Sequence, residues 1–133
     1  MSSSDPIQQK TWVKDIMSNS VVSVDSSVTA TNAVKMMEYV GAGAVIVLEN
    51  NLPVGIVTDR DFAIKIIANS YPIDTPVRKI MSSPLISIDP NSDLSIASDL
   101  MSTRNVRKLP VIDDDKVVGI LTSSDLVKHF TNN

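Results

Sequence analysis

Apolar residues along this chain fall into short bursts of two different periods. Val21 to Val24 and Leu85 to Ile88 are brief apolar runs that end at Asp25 and at Asp89-Pro90, and both predict strands. After the first, Ala30, Ala33, Val34 and Met37 recur at i, i+3, i+4 and i+7, the stripe of an amphipathic helix. After the second, Leu94, Ala97 and Met101 repeat it. Thr29 and Asp93 stand where N-caps belong. Two β-rich runs follow in each case. Val45 to Leu48 leads through Glu49-Asn50-Asn51 to Val54 to Val57, and Leu109 to Ile112 leads through Asp113-Asp114-Asp115 to Val117 to Leu121. Polar turn residues between apolar runs predict hairpins. A closing helix carries Phe62, Ala63 and Ile66 in one set and Leu126, Val127 and Phe130 in the other. The order is β-α-β-β-α, twice.

The two sets are copies. Shifted by 64 residues, Val13 to Ser18 falls on Val77 to Ser82, and the register runs without a gap to the C-terminus. Of the 57 pairs from Val13/Val77 to Asn69/Asn133, 15 are identical, against roughly three or four by chance, so a duplication is established. Val54-Gly55-Ile56 meets Val118-Gly119-Ile120, Thr58 meets Thr122 and Asp61 meets Asp125. The boundaries read as a leader at 1–12, one repeat at 13–72, a linker at 73–76 and the second repeat at 77–133. Pro72 and Pro76 stiffen the join. A unit of some sixty residues buries only about 60% of its unfolded surface, so the copies are expected to share one core. Trp12 is expected to cover the edge of the first repeat.

Composition narrows the chemistry. No apolar run approaches the ~20 residues of a bilayer span, and the first eleven residues lack the basic-then-apolar pattern of a signal peptide. Cysteine is absent, which removes disulfides, thiolate metal sites and cysteine nucleophiles. A cytoplasmic protein without a membrane partner is expected. The net charge of −3 disfavours broad nucleic-acid binding, although Arg104, Arg107 and Lys108 form a local basic cluster. His129 is the single histidine, and Asp113-Asp114-Asp115 lacks the spacing of a calcium loop, so no metal site is expected.

Several motifs together resemble CBS domains: Ile-Met-Ser before the first strand, the helix ending in Met37 or Met101, the exit Val-Gly-Ile-(Val/Leu)-Thr-x-x-Asp, and Arg107-Lys108-Leu109-Pro110-Val111. The resemblance covers nearly everything from Val13 onward in both copies. It implies an α/β (α+β) fold of two CBS repeats packed pseudo-two-fold through their sheets into one module. It further implies a homodimer, and adenosine-containing ligands bound in clefts between the repeats. AMP, ADP or ATP is the ligand so implied, with no cofactor, and S-adenosylmethionine is the variant.

The same resemblance assigns roles by position. Asp61 and Asp125 are implied as ribose ligands; Thr58, Arg60, Arg107, Lys108, Thr122 and Ser124 as phosphate ligands. Ser18, Asn19, Ser20 and Val21, with Ser82, Ser83, Pro84 and Leu85, are implied to line the adenine. Each has a plainer reading beside it. Thr58-x-x-Asp61 and Thr122-x-x-Asp125 are close to helix capping boxes. Arg107 and Lys108 read equally as a solvated basic pair, and the serine-rich segments as simple strand starts. Because Gly43 and Ala44 occupy the places of Arg107 and Lys108, the Asp125 cleft is expected to be the stronger phosphate binder. No nucleophile with an orienting base and no dinucleotide fingerprint is present, so a non-catalytic sensor acting on a separate regulated protein is expected. A ligand-free protein or nucleic-acid adaptor is the alternative.

Overall fold

The computed structural model describes residues 10–132. Its elements in chain order are α1 (Val13–Ile16), β1 (Val22–Asp25), α2 (Ala30–Val40), β2 (Ala44–Glu49), β3 (Leu52–Thr58) and α3 (Asp59–Asp61), which runs on into a π-helix, Phe62–Ala68. A 3-10 turn at Val77–Lys79 opens the second half, followed by α4 (Leu94–Arg104), β4 (Lys108–Asp113), β5 (Lys116–Thr122) and α5 (Ser123–Thr131).

Local chemistry accounts for these elements. Thr29 Oγ1 accepts from the Asn32 N–H and Asp93 Oδ1 from the Ser95 N–H, so both expected N-caps are in place. Ala30, Ala33 and Met37 are buried along α2, and Leu94, Ala97 and Met101 along α4. Val34 is a correction to the expected stripe. It lies 44% exposed on the flank of α2, because Ala33 and Met37 already fill the face against the sheet. Gly41 (φ 77°) and Asn105 (φ 54°) end the two helices in the left-handed region. Both hairpins turn on two residues of positive φ, Asn50-Asn51 and Asp114-Asp115, the signature of type I′ turns. That turn explains the aspartate run.

β1 pairs in parallel with β2, and β2 antiparallel with β3, in a three-stranded sheet. The second sheet holds only β4 and β5, paired antiparallel. The strand expected over Leu85 to Ile88 is reduced to one parallel bridge, Ile88 with Val111. Position 110 explains the loss. The Ile88 N–H donates to the Pro110 carbonyl (3.0 Å) and its carbonyl accepts from the Ile112 N–H (2.9 Å). The preceding rung would need an N–H at 110, and proline has none. Ile46 occupies that position in the first copy, where the ladder continues back to Val22.

Each repeat takes the other's lead-in. The Val77 N–H donates to the Val28 carbonyl (2.8 Å) and the Arg78 N–H to Ser26 (3.1 Å). In the mirror arrangement Val13 donates to Ser92 (2.9 Å) and Lys14 to Pro90 (3.0 Å). Val77 and Ile80 sit in the core of β1, β2 and α2, whereas Val13 sits in the core of α4, β4 and β5. The Trp12 backbone therefore bridges to Asp93 of the second repeat, where the sequence pattern had suggested the edge of the first. A third cluster, Ala44, Ile46 and Ile120 with Val21, Ile56 and Val117 against it, fills the seam between the two sheets.

Candidate functional site

The crossing of the lead-ins builds two related strand pairings. Past α1, Ser18 exchanges backbone hydrogen bonds with Ile120 of β5, at 2.8 and 2.9 Å. Past the 3-10 turn, Ser82 does the same with Ile56 of β3, at 2.8 and 3.2 Å. Ser18, Asn19, Ser20 and Val21 thus run beside the strand that ends at Thr122. Ser82, Ser83, Pro84 and Leu85 run beside the strand that ends at Thr58. Serine, asparagine and proline of these segments are exposed, while Val21 and Leu85 are half-buried. Ser18 and Ser82 therefore pair two residues before the Thr-x-x-Asp motif of the opposite repeat. Because both bridges are antiparallel, the residues after them run back along the strand, away from that motif.

Gly55 and Gly119 permit that approach. A Cβ on Gly119 would stand 2.8 Å from the Ser18 carbonyl oxygen, and one on Gly55 would stand 3.0 Å from that of Ser82. Sequence reasoning used these glycines only as family markers. Their identity in both copies was the available signal for a close backbone contact.

The Thr-x-x-Asp motifs cap their helices, as the plainer reading held. Asp125 Oδ2 accepts from the Thr122 N–H (2.9 Å), and the Asp125 N–H donates to Thr122 Oγ1 (3.1 Å). Asp61 Oδ2 accepts from the Thr58 N–H (2.9 Å) and from its hydroxyl (3.2 Å). Capping occupies one carboxylate oxygen and leaves the other for additional contacts. Asp61 Oδ1 lies 3.8 Å from Lys65 Nζ, which also donates to the Ile80 carbonyl at 2.8 Å. Asp125 borders a pocket of about 300 Å³ with Ile16, Lys128, His129 and Asn132. Under the 64-residue shift Ile16, Asp125 and His129 correspond to Ile80, Asp61 and Lys65, so one arrangement is built twice with a histidine in place of a lysine. Sequence reading passed over Lys65 and weighed His129 only as a metal ligand or catalytic group.

The basic residues divide. The Arg107 carbonyl accepts from the Ser123 N–H (2.9 Å), which fixes its backbone at the start of α5, with the side chain exposed. Lys108 is paired in register with Thr122, yet its ammonium crosses the seam. Nζ lies 3.2 Å from Asp59 Oδ1 and 3.3 Å from the Gly43 carbonyl. The structure therefore groups Lys108 with the first repeat, whereas the sequence pattern had grouped it with Asp125. Position 44 is alanine, so no matching cation returns across the seam from β2. Arg60 and Ser124 are exposed in the first turns of their helices. Among the described residues no group of three or more His, Asp or Glu side chains gathers to hold a metal, and no helix is long and apolar enough to cross a membrane.

Comparison with known proteins gives this geometry a setting. The CBS domain family model matches residues 13–68 and again 77–132. A CBS domain-containing protein of Bacillus subtilis, YhcV, is 36% identical over 121 residues, covering 91% of this chain and 86% of its own. The CBS domain pair of protein MJ0100, solved in complex with 5′-methylthioadenosine and S-adenosyl-L-methionine, superposes with a TM-score of 0.83. It is 28% identical, with 92% of this chain and 98% of that one covered. A hexameric CBS-CP12 protein from bloom-forming cyanobacteria gives the same TM-score at 28% identity, covering 90% of this chain and 67% of its own.

Proposed function

This chain belongs to the CBS-domain family, and on that premise we propose that it is a non-catalytic sensor that binds an adenosine-containing ligand in its two inter-repeat clefts. One observation carries the reading. The reciprocal pairing of Ser18 with Ile120 and of Ser82 with Ile56 sets a polar, backbone-rich segment on the strand that leads into a capping carboxylate, whose Oδ1 lies outside the cap. Backbone groups of such a segment suit the hydrogen-bonding edge of an adenine, and a carboxylate accepts well from two adjacent ribose hydroxyls. Arg107 and Lys128 beside Asp125, and Arg60, Lys65 and Lys108 beside Asp61, supply cations for phosphate. AMP, ADP or ATP is the ligand class this favours.

An S-adenosylmethionine or methylthioadenosine sensor is the second reading. The ligands of the MJ0100 pair favour it, as does the engagement of Lys108 with Asp59. Ligand at either cleft touches both repeats, so it stabilises one relative arrangement of the halves. Only differential affinity for two arrangements transmits a signal, and here the recipient would be a separate protein or a second copy of this chain.

A thermal-shift panel of AMP, ADP, ATP, S-adenosylmethionine and methylthioadenosine tests the reading, repeated on Asp125→Asn, whose amide oxygen still accepts from the Thr122 N–H. A ligand at ~100 times its dissociation constant adds about 2.7 kcal/mol. At least one compound is expected to stabilise the wild type, and more weakly the variant. No stabilisation by any of the five would refute the proposal.

A further inference from the structure

The contact between Lys108 and Asp59 has no counterpart in the other half of the molecule. Under the 64-residue shift Lys108 corresponds to Ala44, Asp59 to Ser123 and Gly43 to Arg107. Two aligned exchanges, at 44/108 and 59/123, therefore create one cross-seam ion pair on one side only. We infer that Asp59 is a specificity-determining residue of the Asp61 cleft: it holds the cation that the second repeat lends to that cleft and competes for it with the phosphate of a bound ligand. The inference rests on the reading of the clefts as adenosyl sites.

Geometry identifies the fixed partner and the movable one. The Lys108 side chain is 23% exposed, rooted at the start of β4 and tied to the Gly43 carbonyl. The Asp59 side chain is 74% exposed and begins α3, two residues before Asp61. Its Oδ1 also accepts from the Arg60 N–H at 2.9 Å. Ala44 pairs with Thr58, so Gly43 lies at the mouth where β2 begins and β3 ends. A phosphate arriving there meets a cation already in position, partnered by a carboxylate that swings into water at little cost. Exposed ion pairs are weak, so Asp59 taxes phosphate binding without forbidding it. A ligand without phosphate leaves the pair undisturbed. In the Asp125 cleft, Ser123 replaces the competing acid and Arg107 stands exposed, so no such tax operates.

The test follows the Gly43 and Arg60 amides by NMR during titration with AMP, adenosine and inorganic pyrophosphate, on wild type, Asp59→Asn, Lys108→Met and the double variant. Asp59→Asn should tighten AMP and pyrophosphate about two- to fivefold, Lys108→Met should weaken both, and the double variant should match Lys108→Met. Adenosine affinity should stay constant throughout. Unchanged or weaker AMP and pyrophosphate binding in Asp59→Asn would overturn the inference, as would an equal gain for adenosine or silence of both amides with every compound. Pyrophosphate responding as expected while adenosine fails to bind would uphold the role of Asp59 and count against the adenosyl reading.

Discussion

Ile46 and Pro110 hold the same place in the two repeats, and with the exchange of one for the other a three-stranded sheet becomes a two-stranded one. The outer helix faces diverge as well. Tyr39, Val40 and Ile67 are exposed in the first repeat, where the second has Thr103, Arg104 and Thr131. Near the starts of β2 and β4 and along the closing helices, Gly43, Ala44, Asp59 and Lys65 correspond to Arg107, Lys108, Ser123 and His129. What did not diverge is equally informative. Gly55 and Gly119, both Thr-x-x-Asp caps and the Ile-Met-Ser lead-ins are the same in each copy, and all lie where one repeat receives the other's chain. The crossing constrains those positions jointly, because a change in one copy alone breaks the match. The outer surface carries no such tie, and at the strand starts the one cross-seam tie, Lys108 to Asp59, is made on one side only, so there the halves have become different.

The largest effect should come from the lead-ins. Ile80 is fully buried in the first repeat's core, whereas its counterpart Ile16 is only partly buried against the second. Ile80→Ala should cost about 2–5 kcal/mol, and Ile16→Ala less. Amide exchange should show Ile80→Ala loosening β1 and α2 before α4. Loosening confined to the second repeat would break the exchange of segments. Next come the glycines. Gly119→Ala drives a methyl against the Ser18 carbonyl and should cost about 1–3 kcal/mol by urea unfolding, with Gly55→Ala the milder of the two. Equal or negligible costs would remove the claimed difference in approach.

The fold was legible wherever the sequence carried a local signal. Helix stripes, N-caps, hairpin turns and the duplication each follow from neighbours along the chain. Val34, the Leu85 to Ile88 run and Trp12 were misread because tertiary context decides them. Periodicity alone cannot say which flank of a stripe is already filled, that a proline across the ladder withholds an N–H, or which repeat a lead-in joins. The site shows the same division. Thr58, Asp61, Thr122 and Asp125 announce themselves as caps. The destination of Lys108 depends on a long side chain crossing the seam, and nothing within its own repeat specifies that.

Two smaller effects sharpen the contrast. Pro110→Ile supplies the absent N–H, and its new amide should become protected from exchange as it bonds the Ile86 carbonyl. The gain of about 1 kcal/mol is offset in part by the freer unfolded chain. An unprotected amide at 110 would show that proline is not the cause. Acid should separate the two N-caps. The Ser95 N–H bonded to Asp93 holds that carboxyl below the usual carboxylate range, with the nearby Lys10 charge also lowering it. A lowered folded-state value stabilises above the unfolded pKa, and the contribution disappears as pH falls through the folded one. Below about pH 4 the first turn of α4 should fray, as read from the Ser95 amide, while α2, capped by Thr29, should not respond. Equal fraying would cancel the distinction.

That each cleft joins one repeat's lead-in to the other repeat's carboxylate is tested most directly by an AMP titration followed by amide chemical shifts in Asp61→Asn. Shifts at Ser82, Ser83 and Leu85 should fade while those at Ser18 to Val21 persist. Persistence at Ser82 to Leu85 with loss at Ser18 to Val21 would contradict the account.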